Sequence, residues 1–489
     1  MTRATLHKAS MLLLVAVTLA ACSPAAGGDQ VTPWKPLLAR LDLKPEQARL
    51  APDRWKGGGR HSLPYFERLW DHCFGVRQAC TKTGKSALEK TDSVAEMTAV
   101  AARHLCSKPP ATLEVNRTPR SDPRAQMVSA IGAIHELAEK PLSTVKRRKL
   151  EEQAEKVPEP VARAAVAVLR AVPAAIRDRN KALKNVSADR DEAFRVARGL
   201  LSHYQVNESA LDLMENTRLK VLLRGGMRVA KALDIADKRL QQPPAADFRF
   251  CWETPLGRIV LDGNGADTYS DPPYLLVIDT AGSDTYGAAG ATTSPANPVS
   301  VVLDTVGDDV YSTDGNIACG AGICGYGLVR DRRGDDAYRA DEMALGTGGF
   351  GVGALMDEAG DDEYEIRRAG QGAALFGAGI LCDRAGSDDY TCFQQAQGFG
   401  KVKGFGLLAD VSGNDSYTAN DSTIEYPAPQ TDEHNTSLAQ GCGFGRRNSL
   451  AGGLGLLVDG LQDLGERGPD PDVLAPVVRG TVLAQYGVG

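Results

Sequence analysis

The chain has 489 residues, with 56 basic against 62 acidic side chains, a net charge of −6, and 43% hydrophobic residues. This length exceeds one ordinary domain, so two or three are expected. Between 251 and 460 there are 31 acidic and 12 basic residues, a net of −19, while the remainder nets +13, so the C-terminal half excludes nucleic acid as a partner and attracts cations.

Residues 1–21 read as a targeting segment. Arg3 and Lys8 give a positive start, and MLLLVAVTLAA at 11–21 is an apolar stretch short for a bilayer span. It ends in Leu19-Ala20-Ala21-Cys22, which resembles the bacterial lipobox. That resemblance implies cleavage before Cys22 and acylation of Cys22 as the lipid attachment; an ordinary secretory signal with a chance Cys is the other reading. Residues 22–34, containing SPAAGGDQ, read as a flexible tether. The expectation is an exported protein, lipid-anchored to a bacterial membrane. Ser23 points to the outer membrane by the sorting preference of such lipoproteins.

Residues 35–250 are poor in Gly and rich in Ala, Leu, Arg, Lys and Glu, which predicts a basic all-α bundle. In SDPRAQMVSAIGAIHELAEK, 121–140, Ser121 is placed as an N-cap and Pro123 in the first turn. Segments 159–183, with a kink expected at Pro173, 191–204 and 208–240 continue the helical spacing. Cys73, Cys80 and Cys106 are close enough for one pair to bridge after export, the pair being unspecified. His72 and His104 flank two of them, so zinc is the competing reading, although the spacing follows no finger pattern. TGKS at 83–86 ends like a phosphate loop, but Ala79 stands where the motif needs Gly. His135 and His203 lie in helical runs as solvated or hydrogen-bonded side chains. Lys146, Arg147, Arg148 and Lys149 form a basic cluster, read as a solvated face or a contact for anionic headgroups.

From 251 to 460 one phrase recurs. Aligned on its first Asp it starts at Asp262, Asp279, Asp304, Asp331, Asp357, Asp383 and Asp410, at spacings of 17, 25, 27, 26, 26 and 27. Gly follows at +3, Asp at +5 (Asp267, Asp284, Asp309, Asp336, Asp362, Asp388, Asp415) and Tyr at +7, and position −2 is apolar throughout. A period of this length is too short for a propeller blade, which needs roughly 40–50 residues, and suits one coil of a solenoid. The fold class expected is therefore a multidomain α + β chain: a helical bundle, then a parallel β-solenoid of about seven to eight turns, with coils stacked at about 4.8 Å. The tail, 461–489, is expected to cap its open end.

NGADTYS at 264–270 and GSDTYG at 282–287 resemble the Gly-x-Asp-x-aromatic portion of the haemolysin-type (RTX) calcium-binding repeat. The resemblance implies corner carboxylates that bind calcium between turns and a large residue pointing into the core. It covers 262–417 at motif level; the family repeats every nine residues and leads with Gly-Gly, which this chain lacks. Independently, two columns of carboxylates stacked at about 4.8 Å repel by roughly 3 kcal/mol per neighbour at an effective dielectric of 20. Arg332, Arg333 and Arg384 are too few and too irregular to compensate. Calcium is the cofactor expected, with both Asp columns as its ligands; turn capping without metal is the alternative. The tyrosines are expected as a core ladder rather than an exposed strip.

Residues 418–440 break the rhythm and carry Asp432, Glu433 and His434, a candidate binding insert. GCGFGRRNSLAGGLGLLVDG, 441–460, reads as a last degenerate coil. The function expected is a surface lipoprotein whose solenoid binds, adheres or acts as a scaffold, with a surface polymer or protein as partner. The alternative is a polysaccharide lyase or hydrolase on a β-helix scaffold, which rests on fold analogy alone.

Overall fold

The computed structural model describes residues 63, 75–111, 122–202, 206–270, 273–313, 316–429, 431–445, 452–462 and 477–482. The targeting segment, Cys22, the tether, His72, Cys73, Ser121, His203 and most of the 461–489 tail lie outside them.

Among the described residues eight helices precede the strands: α1 (Gly75–Leu88), α2 (Val94–Leu105), α3 (Pro123–Leu137), α4 (Thr144–Ala154), α5 (Glu159–Ala182), α6 (Arg190–Ser202), α7 (Glu208–Asn216) and α8 (Leu219–Arg239). None is long and apolar enough to cross a membrane. The cap expected at Ser121 is supplied by Asp122, whose carboxylate accepts the Arg124 and Ala125 N–H groups ahead of Pro123. Helix α5 continues through Pro173. The 208–240 run is two helices, separated where the Arg218 N–H turns to bond the Ala182 carbonyl. TGKS lies inside α1.

The strands form a parallel β-solenoid. On its first side, Gly257–Asp262, Tyr274–Ile278, Val299–Leu303, Tyr326–Arg330, Val352–Met356, Gly377–Asp383, Gly404–Gly413 and Leu454–Gln462 run parallel, one per coil. Position −2 of each phrase (Val329, Leu355, Leu381, Leu408 and their equivalents) points inward and packs with the tyrosines. Positions −3 and −1 point outward beneath the helices, as Leu328, Met356 and Ile380 do. Both faces are buried, so these strands read as unbroken apolar runs. Antiparallel strands close both ends: Arg249–Thr254 on Gly257–Asp262, and Val477–Val482 on Leu454–Gln462.

The second side carries the tyrosine column in register, Tyr311↔Tyr338↔Tyr364↔Tyr390. The rings from Tyr269 to Tyr417 stack with centroids 4.5–5.0 Å apart, and all but Tyr417 are fully buried. Each stacked pair contributes about 0.5–1.5 kcal/mol beyond burial. The third side is glycine-rich, with strands Gly322–Ile323, Gly348–Gly349 and Ala374–Leu375 continued by bridges at Gly400 and Gly443. These positions give about five turns closed on three sides, fewer than the seven to eight expected from counting phrases. The 17 residues from Asp262 to Asp279 leave no chain for a third side, so the first phrase makes only a partial coil.

The helices and the coils share one hydrophobic core. Gly225 and Gly226 let α8 press onto the first side, since Cβ atoms there would stand 2.0 Å from Tyr326 Oη and 2.3 Å from Val352 Cγ2. Helices α6 and α7 cover the third side, where buried Lys401 donates to the Leu200 carbonyl at 3.1 Å and to that of Leu201 at 2.5 Å. The outward side chains of the second side alternate with the buried ones and face solvent, as in Glu363–Arg368.

The +3 glycines form a backbone ladder. A Cβ on Gly334 would stand 1.5 Å from the Gly307 carbonyl oxygen of the coil before, and Gly360 repeats this at 1.6 Å against Gly334. Gly334→Ala is expected to destabilise the protein by about 3 kcal/mol or more, because the coils cannot separate to admit a methyl group. Gly199 in α6 has nothing within 4 Å of its added Cβ, so Gly199→Ala is expected to stabilise by about 1 kcal/mol. Denaturant unfolding of both variants checks the contrast.

Candidate metal centre

The lead aspartates stand at the C-terminal ends of the first-side strands, as Asp262 and Asp383 do, or one residue beyond them, as Asp279, Asp304, Asp331 and Asp357 do; Asp410 lies within its longer strand. The carboxylate caps its own corner: Oδ1 of Asp304, Asp357 and Asp383 accepts the N–H two residues on at 3.0–3.1 Å, as does that of Asp279, and that of Asp331 at 3.3 Å. Oδ2 accepts the tyrosine hydroxyl of the preceding coil. Tyr311 donates to Asp331 at 2.5 Å, Tyr338 to Asp357 at 2.5 Å, Tyr364 to Asp383 at 2.6 Å and Tyr390 to Asp410 at 2.9 Å. Tyr269 and Tyr286 do the same for Asp279 and Asp304. The ladder expected as packing is thus also a file of donors.

The +5 aspartates bond between coils by their other oxygen. Oδ1 of Asp309, Asp336, Asp362 and Asp388 accepts the N–H of the +5 aspartate one coil earlier, at 2.6–2.8 Å, and the chain of bonds runs from Asp267 and Asp284 to Asp415. Their second oxygens point into the corner. Oδ2 of Asp284, Asp309, Asp362, Asp388 and Asp415 is buried without a hydrogen-bond partner, as is Oδ1 of Asp262 and Asp410. Asp336 Oδ2 has only the Tyr338 hydroxyl, at 3.5 Å. The predicted ligands therefore meet in triads, each joining the two aspartates of one coil to the lead aspartate of the next: Asp262/Asp267/Asp279, Asp279/Asp284/Asp304, Asp304/Asp309/Asp331, Asp331/Asp336/Asp357 and Asp357/Asp362/Asp383. In each, three carboxylate oxygens lie within 4.8 Å of one another.

Burial first, then the neighbouring carboxylates, raises the pKa of these groups. Asp284 is pushed up to about 6, Asp309 and Asp388 to about 7, and Asp362 to about 9. Asp304, Asp331 and Asp383 rise well above the usual carboxylate range for the same reasons. Such a column has two ways to shed charge: hold protons on neighbouring carboxyls, or hold cations.

One cation comes from the chain itself. The Arg249 guanidinium, on the antiparallel end strand, bonds Asp262 at 3.1 Å and Asp267 at 2.5 Å. Sequence reading missed it, because its contact depends on the register Arg249↔Asp262. Two arginines near the corners are committed elsewhere: Arg332 to Asp237 of α8, and Arg384 to Asp92 and Glu358.

Asp432, Glu433 and His434 do not join the column. They lie exposed on a hairpin of Pro427–Ala428 and Thr431–Asn435, with His434 Nδ1 2.5 Å from Asp421 Oδ2. A second device, a glutamine ladder, also escaped notice. Gln371, Gln397 and Gln440, themselves at φ +46, +51 and +55, each precede a Gly, and their Nε2 groups bond carbonyls of the second side at 2.9–3.3 Å. The recurring Gln-Gly pair was its signal. Cys80 and Cys106 are unbridged, and His104 stacks on Phe405. No family model, no curated protein and no solved structure matches the chain.

Because the folded carboxyls hold protons that the unfolded chain releases near pH 4, their contribution to the stability of chelator-treated protein is fully present below that pH. It is lost as pH rises through about 6 to 9, the range of Asp284, Asp309, Asp388 and Asp362. Thermal scans in chelator are expected to show a melting temperature several degrees lower at pH 8 than at pH 5.

Proposed function

We propose that this protein is a membrane-anchored surface lipoprotein whose solenoid is a calcium-stiffened scaffold, presenting its solvent-facing second side to a surface polymer or protein. The observation that carries the metal reading is the row of buried +5 carboxylate oxygens without partners, aimed into triads of oxygen donors. The donor set consists of aspartate carboxylates. It lacks the imidazole and thiolate groups that favour zinc or copper. Calcium takes six to eight oxygens and accepts irregular, bidentate carboxylate geometry, whereas magnesium demands a tight octahedron. Arg249 at the first triad supports the same conclusion, since the chain places a positive charge there itself.

Anchoring rests on the lipobox-like Leu19-Ala20-Ala21-Cys22, with Ser23 favouring the outer membrane. No observation favours the polysaccharide-acting alternative over the scaffold reading.

Calcium added to chelated full-length protein is expected to raise the melting temperature, with magnesium giving a much smaller rise. A hundredfold excess over Kd adds about 2.7 kcal/mol per independent site. Calorimetric scans with no calcium shift would overturn the metal reading and leave shared protons as the column's compensation. Separately, Cys22→Ala is expected to move the protein from the membrane to the soluble fraction of cells. A variant that still sediments with membrane after a salt wash would remove acylation as the anchor.

A further inference from the structure

The triads are not separate sites. Among those named above, Asp279, Asp304, Asp331 and Asp357 each belong to two, whereas Asp284, Asp309, Asp336 and Asp362 each belong to one. The hydrogen bonds fit this division. A carboxylate oxygen has two lone pairs. The lead carboxylate spends one on each oxygen, for the corner N–H on Oδ1 and the tyrosine hydroxyl on Oδ2, as Asp357 does. One lone pair therefore remains on each of its oxygens, so the group can serve two neighbours at once. The +5 carboxylate spends Oδ1 on the N–H of the coil before and keeps Oδ2 free, as Asp362 does. That oxygen serves one ion.

On the calcium reading above, we infer that the ions form one continuous file, in which each lead aspartate bridges two successive ions and each +5 aspartate binds one. Charge supports this arrangement. Each ion takes one whole +5 carboxylate and half shares of two lead carboxylates, a total of two negative charges, which one divalent cation neutralises. Successive ions are about one coil rise apart, at the 4.5–5.0 Å spacing of the tyrosine rings. Divalent ions that close repel strongly unless an anion lies between them, and the lead carboxylate is the anion each pair of triads shares. The file also joins coils, because each triad draws on two successive ones. At the first triad the Arg249 guanidinium takes the place of an ion, so the file begins at Asp279/Asp284/Asp304.

The test compares a shared with an unshared ligand in the full chain. Chelated protein is reloaded with calcium, dialysed, and its bound calcium counted by elemental mass spectrometry. Asp336→Asn is expected to carry one ion fewer than wild type, and Asp331→Asn two fewer. Asp362→Asn and Asp357→Asn repeat the comparison one coil on. Equal losses of one ion in each pair would overturn the sharing while leaving calcium binding intact, whereas no calcium on the wild type would overturn the reading beneath it. Should the variants fail to fold, wild type loaded with terbium and europium together supplies the answer. Neighbouring ions give terbium-sensitised europium emission, and isolated emitters overturn the file.

Discussion

The rise of one β-coil fixes most of what this molecule must solve. Parallel coils in register place each aspartate above its equivalent at about 4.8 Å, so a choice made once in the phrase is repeated along a column. For tyrosine the repetition is favourable, because rings stack and hydroxyls reach the next carboxylate. For glycine it is obligatory, because backbones touch. For aspartate it accumulates charge in a buried corner, and the hydrogen bonds absorb only part of it. The unpartnered oxygens of Asp284, Asp309, Asp362 and Asp388 are the remainder.

The helices respond to a different property of the same coils. The first and third sides are apolar outward and need cover, which α8 with α5 and α6 with α7 supply. Arg330 is the exception in the outward apolar column of the first side. It is buried and held by Asp234 and Asp237 of α8 together with Glu358 of the next coil. Removing one partner of such a pair strands a buried charge, so Arg330 and Arg332 fix where α8 sits rather than merely adding attraction. The basic helices therefore do not neutralise the acidic corners. The ion pairs between the halves instead run from Arg330, Arg332 and Arg384 of the coils to Asp234, Asp237 and Asp92 of the helical half, and among the described residues the column draws a guanidinium only at its first coil.

The polar insert leaves the scaffold as a small hairpin tied by Asn435, which accepts the Glu425 and Tyr426 N–H groups on its side-chain oxygen. Arg367 links it back to the second side through Glu425 and Asp341. The insert thus stands beside the solvent-facing side and not over the acidic corners.

The sequence by itself determined whatever repeats. The phrase period set the solenoid, the −2 column and the buried tyrosines were legible as inward positions, and the paired aspartates were identifiable as one corner. These follow because a column in register is specified by a single unit. The tertiary structure alone decided what lies between unlike elements. The Arg249 contact, the seating of Gly225 and Gly226 on Tyr326 and Val352, and the destination of Arg332 join residues far apart in the chain with no shared period. It also decided the coil count, because a phrase 17 residues from the next keeps its corner while lacking the chain for a third side. The sharing of lead aspartates between triads was likewise invisible in sequence. Spacing tells which residues stack, but only the direction of each hydrogen bond tells which oxygens remain free.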